Sequence, residues 1–162
     1  MKRDDNAALR KHLLYLLRGA GAHLNFKTAF AGFPIELRGV RPAGLPQTAW
    51  RLLEHMRIAQ RDILDFCINP KYIPKDFPSG YWPPSDAPVK AAEWDKSLKS
   101  FRTDLDAMEE LVAKRSTDLF APIPHGEGQT ILREALLVAD HNAYHLGQVV
   151  TLRRLLDAWA NP

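Results

Sequence analysis

Two histidines, His141 and His145, are four residues apart in a segment with helical periodicity. At this spacing both imidazoles project from the same face of a helix, close enough to bind one metal ion. Buried polar side chains without partners are costly, so two on one apolar face need a shared explanation. A metal ion supplies one, and the alternative is a pair of core histidines bonded to the backbone, Asn142 or Gln148. The apolar stripe around the pair consists of Leu137, Val138, Val149, Leu152, Leu155, Leu156 and Trp159.

A third histidine strengthens the interpretation as a metal site. His55 lies at the edge of the apolar stripe of another predicted helix, and a helix bundle brings facing helices within reach of each other. Three protein ligands with an open fourth position are typical of catalytic zinc. Cys67 is the only cysteine, which excludes an intrachain disulfide and a thiolate cage for the metal.

The residues between the histidines exclude two other metal sites. A zincin helix needs a glutamate directly after its first histidine, where this chain has Asn142. A di-iron bundle needs a glutamate three residues before a histidine on each of two helices, and neither His55 nor His141 has one. Glu134 is predicted on the histidine face two turns upstream, as a further ligand or a carboxylate that contacts the ligands.

Other side chains have two interpretations each. His23 either lines the metal cavity or packs at the edge of the core, and the latter is the expected role. Tyr81 and Trp82 either roof the cavity or only hold a loop in place. Cys67 is predicted to be a small core residue rather than a nucleophile, and His125 to be a solvated or anchoring loop residue.

Four segments with helical periodicity predict an all-α fold, because no segment alternates as a strand would. Gly19 and Gly21 weaken the first segment, where a bend or close contact is expected. Proline-rich loops follow the first and second helices, and Thr48 is a good N-cap for the second. The predicted helices span residues 5–30, 48–68, 88–115 and 129–159.

Composition narrows the class of protein and its partners. The chain has 162 residues, of which 46% are hydrophobic and 25% charged, as expected for one soluble globular domain. No apolar run reaches the ~20 residues of a membrane span, and the start of the chain lacks a signal-peptide pattern, so we expect a cytoplasmic protein. The 22 basic and 19 acidic residues are interleaved, which argues against nucleic-acid binding. Because the fourth helix is apolar on two sides, we expect a homodimer.

Residues 48–60, TAWRLLEHMRIAQ, and residues 139–148, ADHNAYHLGQ, resemble the DinB-like metal-binding four-helix superfamily, which includes the YfiT-type proteins. The resemblance covers essentially the whole chain, so residues 1–162 are expected to form one such domain. It implies an up-down-down-up four-helix bundle that holds a divalent metal ion. By motif match the ligands are His55 of the second helix and His141 and His145 of the fourth.

The resemblance also implies a class of activity. Characterised members of the superfamily include thiol transferases and isomerases that use low-molecular-weight thiols, although many members have no known substrate. We therefore expect a metal-dependent enzyme of the thiol transferase or hydrolase type, with Zn²⁺ or Ni²⁺ and a small-molecule substrate. The alternative is a non-catalytic bundle that binds a metal ion or a small molecule, or that has a regulatory role. It is favoured by the lack of an obvious general base, since Glu54 is predicted on the outer face of its helix.

Overall fold

A computed structural model describes residues 6–19 and 21–159, and within these ranges the chain is helical without a β-sheet. Two single-turn 3₁₀ helices, Ile35–Leu37 and Ser79–Tyr81, lie in the connections, and Pro122 and Thr130 form an isolated β-bridge. The all-α prediction is confirmed. The α-helices are α1 (Ala7–Leu17), α2 (Phe26–Phe30), α3 (Ala49–Ile68), α4 (Ala91–Ala113) and α5 (Ile131–Leu155).

The first predicted helix, over residues 5–30, is wrong as a continuous element. Gly19 and Gly21 have φ values of +61° and +112°, a left-handed backbone that a right-handed helix cannot contain. The chain therefore leaves α1 after Leu17 and forms the short α2, which the Asn25 side chain caps by accepting from the backbone N–H of Thr28 at 2.9 Å. The predicted start at residue 5 lies outside the described residues.

The three long helices begin where side chains accept hydrogen bonds from the free N–H groups of the first turn. Thr48 caps α3 as predicted, accepting from Arg51 at 3.2 Å, and Thr130 does the same for α5. In α4 the bond runs the other way along the chain, because the Glu93 carboxylate of the first turn accepts from the backbone N–H of Val89, just before the helix, at 2.8 Å. α4 and α5 are each a few residues shorter at both ends than the sequence predicts.

Helix α3 runs parallel to α4. The Ser97 hydroxyl of α4 donates to Glu54 of α3, and further along both helices the Gln60 amide of α3 donates to the Phe101 carbonyl. Residue numbers therefore rise together on the two helices. α4 thus packs against the side of α3 that carries Glu54.

Helix α5 runs antiparallel to α3. His55 lies against His145, whereas Gln60, further along α3, accepts from the Asn142 side chain earlier on α5. The antiparallel arrangement brings the middle of both helices together. It places His55 opposite the two histidines of α5.

Helix α1 runs antiparallel to α4 and completes the bundle. The Arg10 guanidinium donates to the Val112 carbonyl at 2.6 Å, and Arg18, at the far end of α1, pairs with Glu109 at 2.7 Å. The directions are therefore up for α1, down for α3 and α4, and up for α5. This is the up-down-down-up bundle that the resemblance implies.

The exposed surfaces of the helices depart from the predicted apolar stripes in two places. Leu16 and Leu24, which have the apolar spacing of the first predicted helix, are 49% and 40% exposed. One side of α5 is in contact with solvent at Leu136 and Tyr144, which are 44% and 65% exposed. Of the helices in the described ranges, none combines the length and hydropathy that crossing a bilayer requires.

Candidate metal centre

Three imidazoles meet between α3 and α5. His55 is on α3, and His141 and His145 are one turn apart on α5. The Nε2 atom of His55 is 3.1 Å from Nε2 of His141 and 3.1 Å from Nε2 of His145. The structure thus brings together the three histidines that the sequence singles out, and this histidine cluster has the arrangement of a site that could hold a metal ion.

The outer ring nitrogens determine which way the imidazoles present their lone pairs. Nδ1 of His55 donates to the backbone carbonyl of Tyr81 at 2.8 Å, and Nδ1 of His145 donates to Oε1 of Gln148 at 2.7 Å. A neutral imidazole carries one proton, so Nε2 of both rings is left as an unprotonated acceptor. An acceptor on the outer ring nitrogen fixes the tautomer and the orientation of a histidine that binds a metal ion.

The donor set of the histidine cluster fits a metal ion. Two neutral acceptor nitrogens, on His55 and His145, face each other at 3.1 Å without a proton between them, which is repulsive unless a cation lies close to both. Imidazole nitrogens bound at ~2.0–2.1 Å around a tetrahedral Zn²⁺ would be about 3.3 Å apart. The observed separation is close to that value.

Burial keeps the histidine cluster unprotonated. Burial lowers the pKa of His55 and His145 below the ordinary value, and it lowers that of His141, together with repulsion from the other two rings, to about 3. His55 and His145 are 9% and 6% exposed. Neutral imidazole is the form that binds metal ions, so no proton has to be removed near neutral pH.

The loop between α3 and α4 covers the histidine cluster. The Trp82 ring stacks on the His55 ring with 3.9 Å between centroids and 4° between planes. Arg51 holds the loop from beneath, donating to the Pro83 carbonyl at 3.1 Å with its guanidinium 5.6 Å from the Trp82 ring centre. Tyr81 and Trp82 therefore belong to the site as well as to the loop.

A cavity of about 680 Å³ opens beside the histidine cluster between α3, α5 and the covering loop. Most of its wall is apolar or aromatic, which suits an organic ligand. Its polar groups outside the cluster include Asp62, Arg133 and Glu134. The wall is formed by His55, Ala59, Asp62, Ile63, Phe66, Tyr72, Phe77, Pro78, Tyr81, Trp82, Gln129, Arg133, Glu134, Leu137, His141, Tyr144 and His145.

The two glutamates that the sequence analysis considers, Glu134 and Glu54, lie in different parts of the structure. Glu134 is 2% exposed in the cavity wall and accepts from Arg133 at 2.6 Å, but it is not part of the histidine cluster. The prediction that Glu54 faces outward is wrong, because this residue is 8% exposed against α4 and bonds to Arg57 and Ser97. Burial raises the pKa of Glu54, but the hydrogen bonds from Arg57 and Ser97 and the nearby positive charges outweigh it and hold the pKa below the ordinary value.

The remaining candidates lie outside the histidine cluster. His23 is exposed, with Nδ1 2.9 Å from the carbonyl of Leu24, and does not line the cavity. His125 anchors its loop, with Nε2 2.7 Å from the Phe66 carbonyl. Burial, helped by the charge of Glu134, raises the pKa of Cys67 to about 12, which suits a core residue rather than a nucleophile.

Sequence reasoning missed Asp62, whose carboxylate accepts from the Tyr72 and Tyr81 hydroxyls in the cavity wall. A signal for it was present, since Asp62 follows His55 by seven residues and two turns of a helix return to the same face. The tyrosines could not be assigned in this way, because they are in a loop.

Comparison with known families identifies the chain. A sequence model of the DinB superfamily matches residues 22–149, a range that contains His55, His141 and His145. The comparisons with curated proteins and with solved structures found no match. The matched range covers most of the chain and the helices that form the histidine cluster. The chain belongs to the DinB superfamily.

Proposed function

We propose that the protein binds one divalent metal ion through His55, His141 and His145 and is a metal-dependent enzyme that acts on a small molecule in the adjoining cavity. The observation that supports the proposal best is the convergence of three Nε2 atoms beside a cavity lined mostly by apolar and aromatic side chains. On two of these rings a hydrogen bond from Nδ1 leaves Nε2 with a free lone pair. Zn²⁺ and Ni²⁺ are the proposed metals, since both bind imidazole well.

The protein groups and the metal would have separate roles. A bound ion would act as a Lewis acid that lowers the pKa of a water or thiol on its open positions. His55 and His145 are held in place by Tyr81 and Gln148, so the donor geometry exists before binding. Trp82 shields one side of His55 from solvent. We propose transfer of a low-molecular-weight thiol or hydrolysis as the reaction class.

A binding or regulatory bundle without turnover is the second candidate. Both carboxylates of the cavity are already engaged, Asp62 by two tyrosine hydroxyls and Glu134 by Arg133. Neither is a free general base beside the histidine cluster. This observation favours a site that holds a metal or ligand without catalysis.

Metal analysis of protein purified without an affinity tag tests the metal centre. We expect about one Zn²⁺ or Ni²⁺ per chain and a rise in melting temperature when metal is added, because binding stabilises the folded state. His141→Ala and His145→Ala should abolish both effects. His12→Ala, an exposed histidine of α1, is the matched control and should keep them. Absence of metal, with variants and wild type responding alike, would reject the site.

Turnover requires its own assay. Metal-loaded protein would be offered electrophiles with a panel of small thiols, and separately ester and amide substrates. We expect the wild-type protein to be active, and His55→Ala to lose the activity while it keeps a cooperative unfolding transition. Activity that survives this substitution would rule out catalysis at the histidine cluster, and metal binding without any turnover would favour the second candidate.

A further inference from the structure

A carboxylate lies in the cavity wall at a fixed distance from the histidine cluster. Asp62 follows His55 on α3 by two helical turns, which is about 10 Å along the helix axis. Both side chains line the same cavity, and Asp62 is 7% exposed. The cavity therefore has the histidines in one part and an acidic group whose backbone lies about 10 Å further along α3 than that of His55.

The carboxylate of Asp62 has no counter-charge. Its Oδ2 atom accepts from the Tyr72 and Tyr81 hydroxyls at 2.9 and 2.7 Å. Both donors are phenol hydroxyls, which bring no positive charge. Across residues 6–19 and 21–159, no donor lies on Oδ1 and no cation lies within ion-pair distance of Asp62. A buried carboxylate without a cation is electrostatically costly.

Four aromatic rings line the same cavity as this carboxylate, and two of them belong to the tyrosines that donate to it. Tyr72 packs edge to face on Phe66 with centroids 5.3 Å apart, and Tyr81 packs in the same manner on Phe77 at 6.1 Å. All four rings line the cavity. Aromatic faces attract cations, and a ring of them beside a carboxylate is chemistry that recognises ammonium groups.

The other charges of the cavity wall cancel each other. Arg133 and Glu134 form an ion pair at 2.6 Å, so together they offer no net charge. His55 and His145 carry their proton on Nδ1, where it is donated to an outer acceptor, so Nε2 is unprotonated and neither ring is charged. Asp62 is therefore the uncompensated charge of the wall, and it is negative.

We propose that the cavity binds an organic cation, with a primary or methylated ammonium group at Asp62 and an apolar body along the aromatic wall. A second part of this inference rests on the proposed function: the ligand also carries a metal-binding donor about 10 Å from the ammonium group, where the donor reaches the histidine cluster. The substrate class is thus an amphiphilic amine with a Lewis-basic head.

Calorimetric titration of chelator-treated protein tests the ammonium site without the metal. The probes are octylammonium, octanol and octanoate, which share one apolar chain. We expect octylammonium to bind at least tenfold more tightly than octanol, and octanoate to bind most weakly. Equal affinity for octylammonium and octanol, or tightest binding of octanoate through Arg133, would overturn the proposal. The order in wild-type protein decides this, whether or not a variant folds.

Two variants assign the preference to its residue. Asp62→Asn should bring octylammonium within threefold of octanol while octanol binding stays unchanged. Asp65→Asn is the matched control, since it makes the same change at a carboxylate of α3 that pairs with Arg61 and lies outside the cavity wall, and it should keep the preference. A preference that survives in Asp62→Asn would overturn the assignment.

Zinc-loaded protein tests the distance between the two groups. The probes are 8-aminooctanohydroxamate and octanohydroxamate, whose hydroxamate heads bind zinc. We expect zinc to tighten both and the amino group to add at least tenfold. If the amino group adds no affinity while metal-free protein still prefers octylammonium, the proposed distance between the two groups of the ligand is wrong. If zinc does not change the affinity for either hydroxamate, the metal centre of the proposed function is rejected, whereas the ammonium site is not affected by this result.

Discussion

The orientation of each ring in the histidine cluster depends on the group that its outer nitrogen contacts. Gln148 accepts from Nδ1 of His145, and the Tyr81 carbonyl accepts from Nδ1 of His55. The histidines themselves could be predicted, because their spacing and apolar surroundings are visible in the sequence. Tyr81 could not be assigned this role, because its contribution is a backbone atom that any residue would offer.

Gln148 provides a test of this orientation. Gln148→Ala should weaken zinc binding about tenfold or more, since losing an outer acceptor typically costs 10–100-fold in metal affinity. Gln148→Glu should retain binding, because a carboxylate also accepts from Nδ1. Competition with a chromophoric chelator measures both, with Gln47→Ala, outside the cavity wall, as the control. Unchanged affinity in Gln148→Ala would contradict the role given to this side chain.

Cys67 should react slowly and with a steep pH dependence. Because burial raises its pKa to about 12, the thiol is neutral below that pH and only about one in ten thousand molecules carries the reactive thiolate at pH 8. The rate of alkylation by iodoacetamide should rise about tenfold per pH unit from 8 to 10 in the native protein. The only cysteine of the chain makes the readout unambiguous, and urea-unfolded protein is the control. A plateau below pH 9 would show an ordinary, accessible thiol.

At the scale of elements, the loop between α3 and α4 determines the shape of the site. Thr48 donates to the Asp86 carbonyl at 2.6 Å, and the Trp50 indole donates to Ser85 at 3.3 Å, so the loop is tied to the start of α3. The sequence predicts a proline-rich loop after this helix, but that composition does not encode which residues contact the histidines.

Trp82 transmits the position of this loop to His55. Trp82→Ala should lower the free energy of unfolding by about 1–2 kcal/mol, less than the 3–5 kcal/mol of a fully buried aromatic, and should also weaken metal binding. Trp82→Phe keeps a ring on His55 and should lose less of both. Urea denaturation and chelator competition measure the two quantities. Identical behaviour of Trp82→Ala and wild type would mean that the stacking contributes nothing.

Alanine substitutions at Gly19, after α1, and at Gly147, inside α5, test whether backbone conformation ends the first predicted helix. Gly19→Ala should destabilise the fold by about 1–2 kcal/mol, because the residue has a left-handed backbone at φ +61°. Gly147→Ala, inside α5 where an added Cβ meets no atom within 4 Å, should stabilise it by about 0.5–1 kcal/mol. Urea denaturation compares the pair. Periodicity predicted one helix over both glycines of the first segment, because apolar spacing carries no information on the sign of φ. A stabilising Gly19→Ala would contradict this explanation.

At the scale of the whole molecule, the helix directions decide which histidines meet. The bundle could be predicted from four amphipathic segments and the resemblance, and the antiparallel pairing of α3 with α5 then brings His55 to His145. The cavity could not, because its volume depends on how the loop and α5 pack. The spacing of Asp62 from His55 places both on one face of α3, but the contacts of Asp62 with Tyr72 and Tyr81 depend on that packing.

The homodimer remains a prediction at this scale. Leu136, Tyr144 and Leu155 of α5 are 44%, 65% and 56% exposed, and a second copy of the chain would cover this apolar surface. Light scattering after gel filtration should give twice the monomer mass, and Leu136→Glu should lower it. Monomer mass at all concentrations in the wild type would reject the dimer.

Anomalous diffraction from a crystal of zinc-loaded protein would locate the metal ion itself. We predict one strong peak at the zinc absorption edge, about 2.0–2.1 Å from Nε2 of each of His55, His141 and His145. A crystal of His145→Ala prepared identically should lack that peak. A zinc-loaded crystal with no peak between the three rings, or with zinc bound instead by Asp62 or Glu134, would contradict the metal centre.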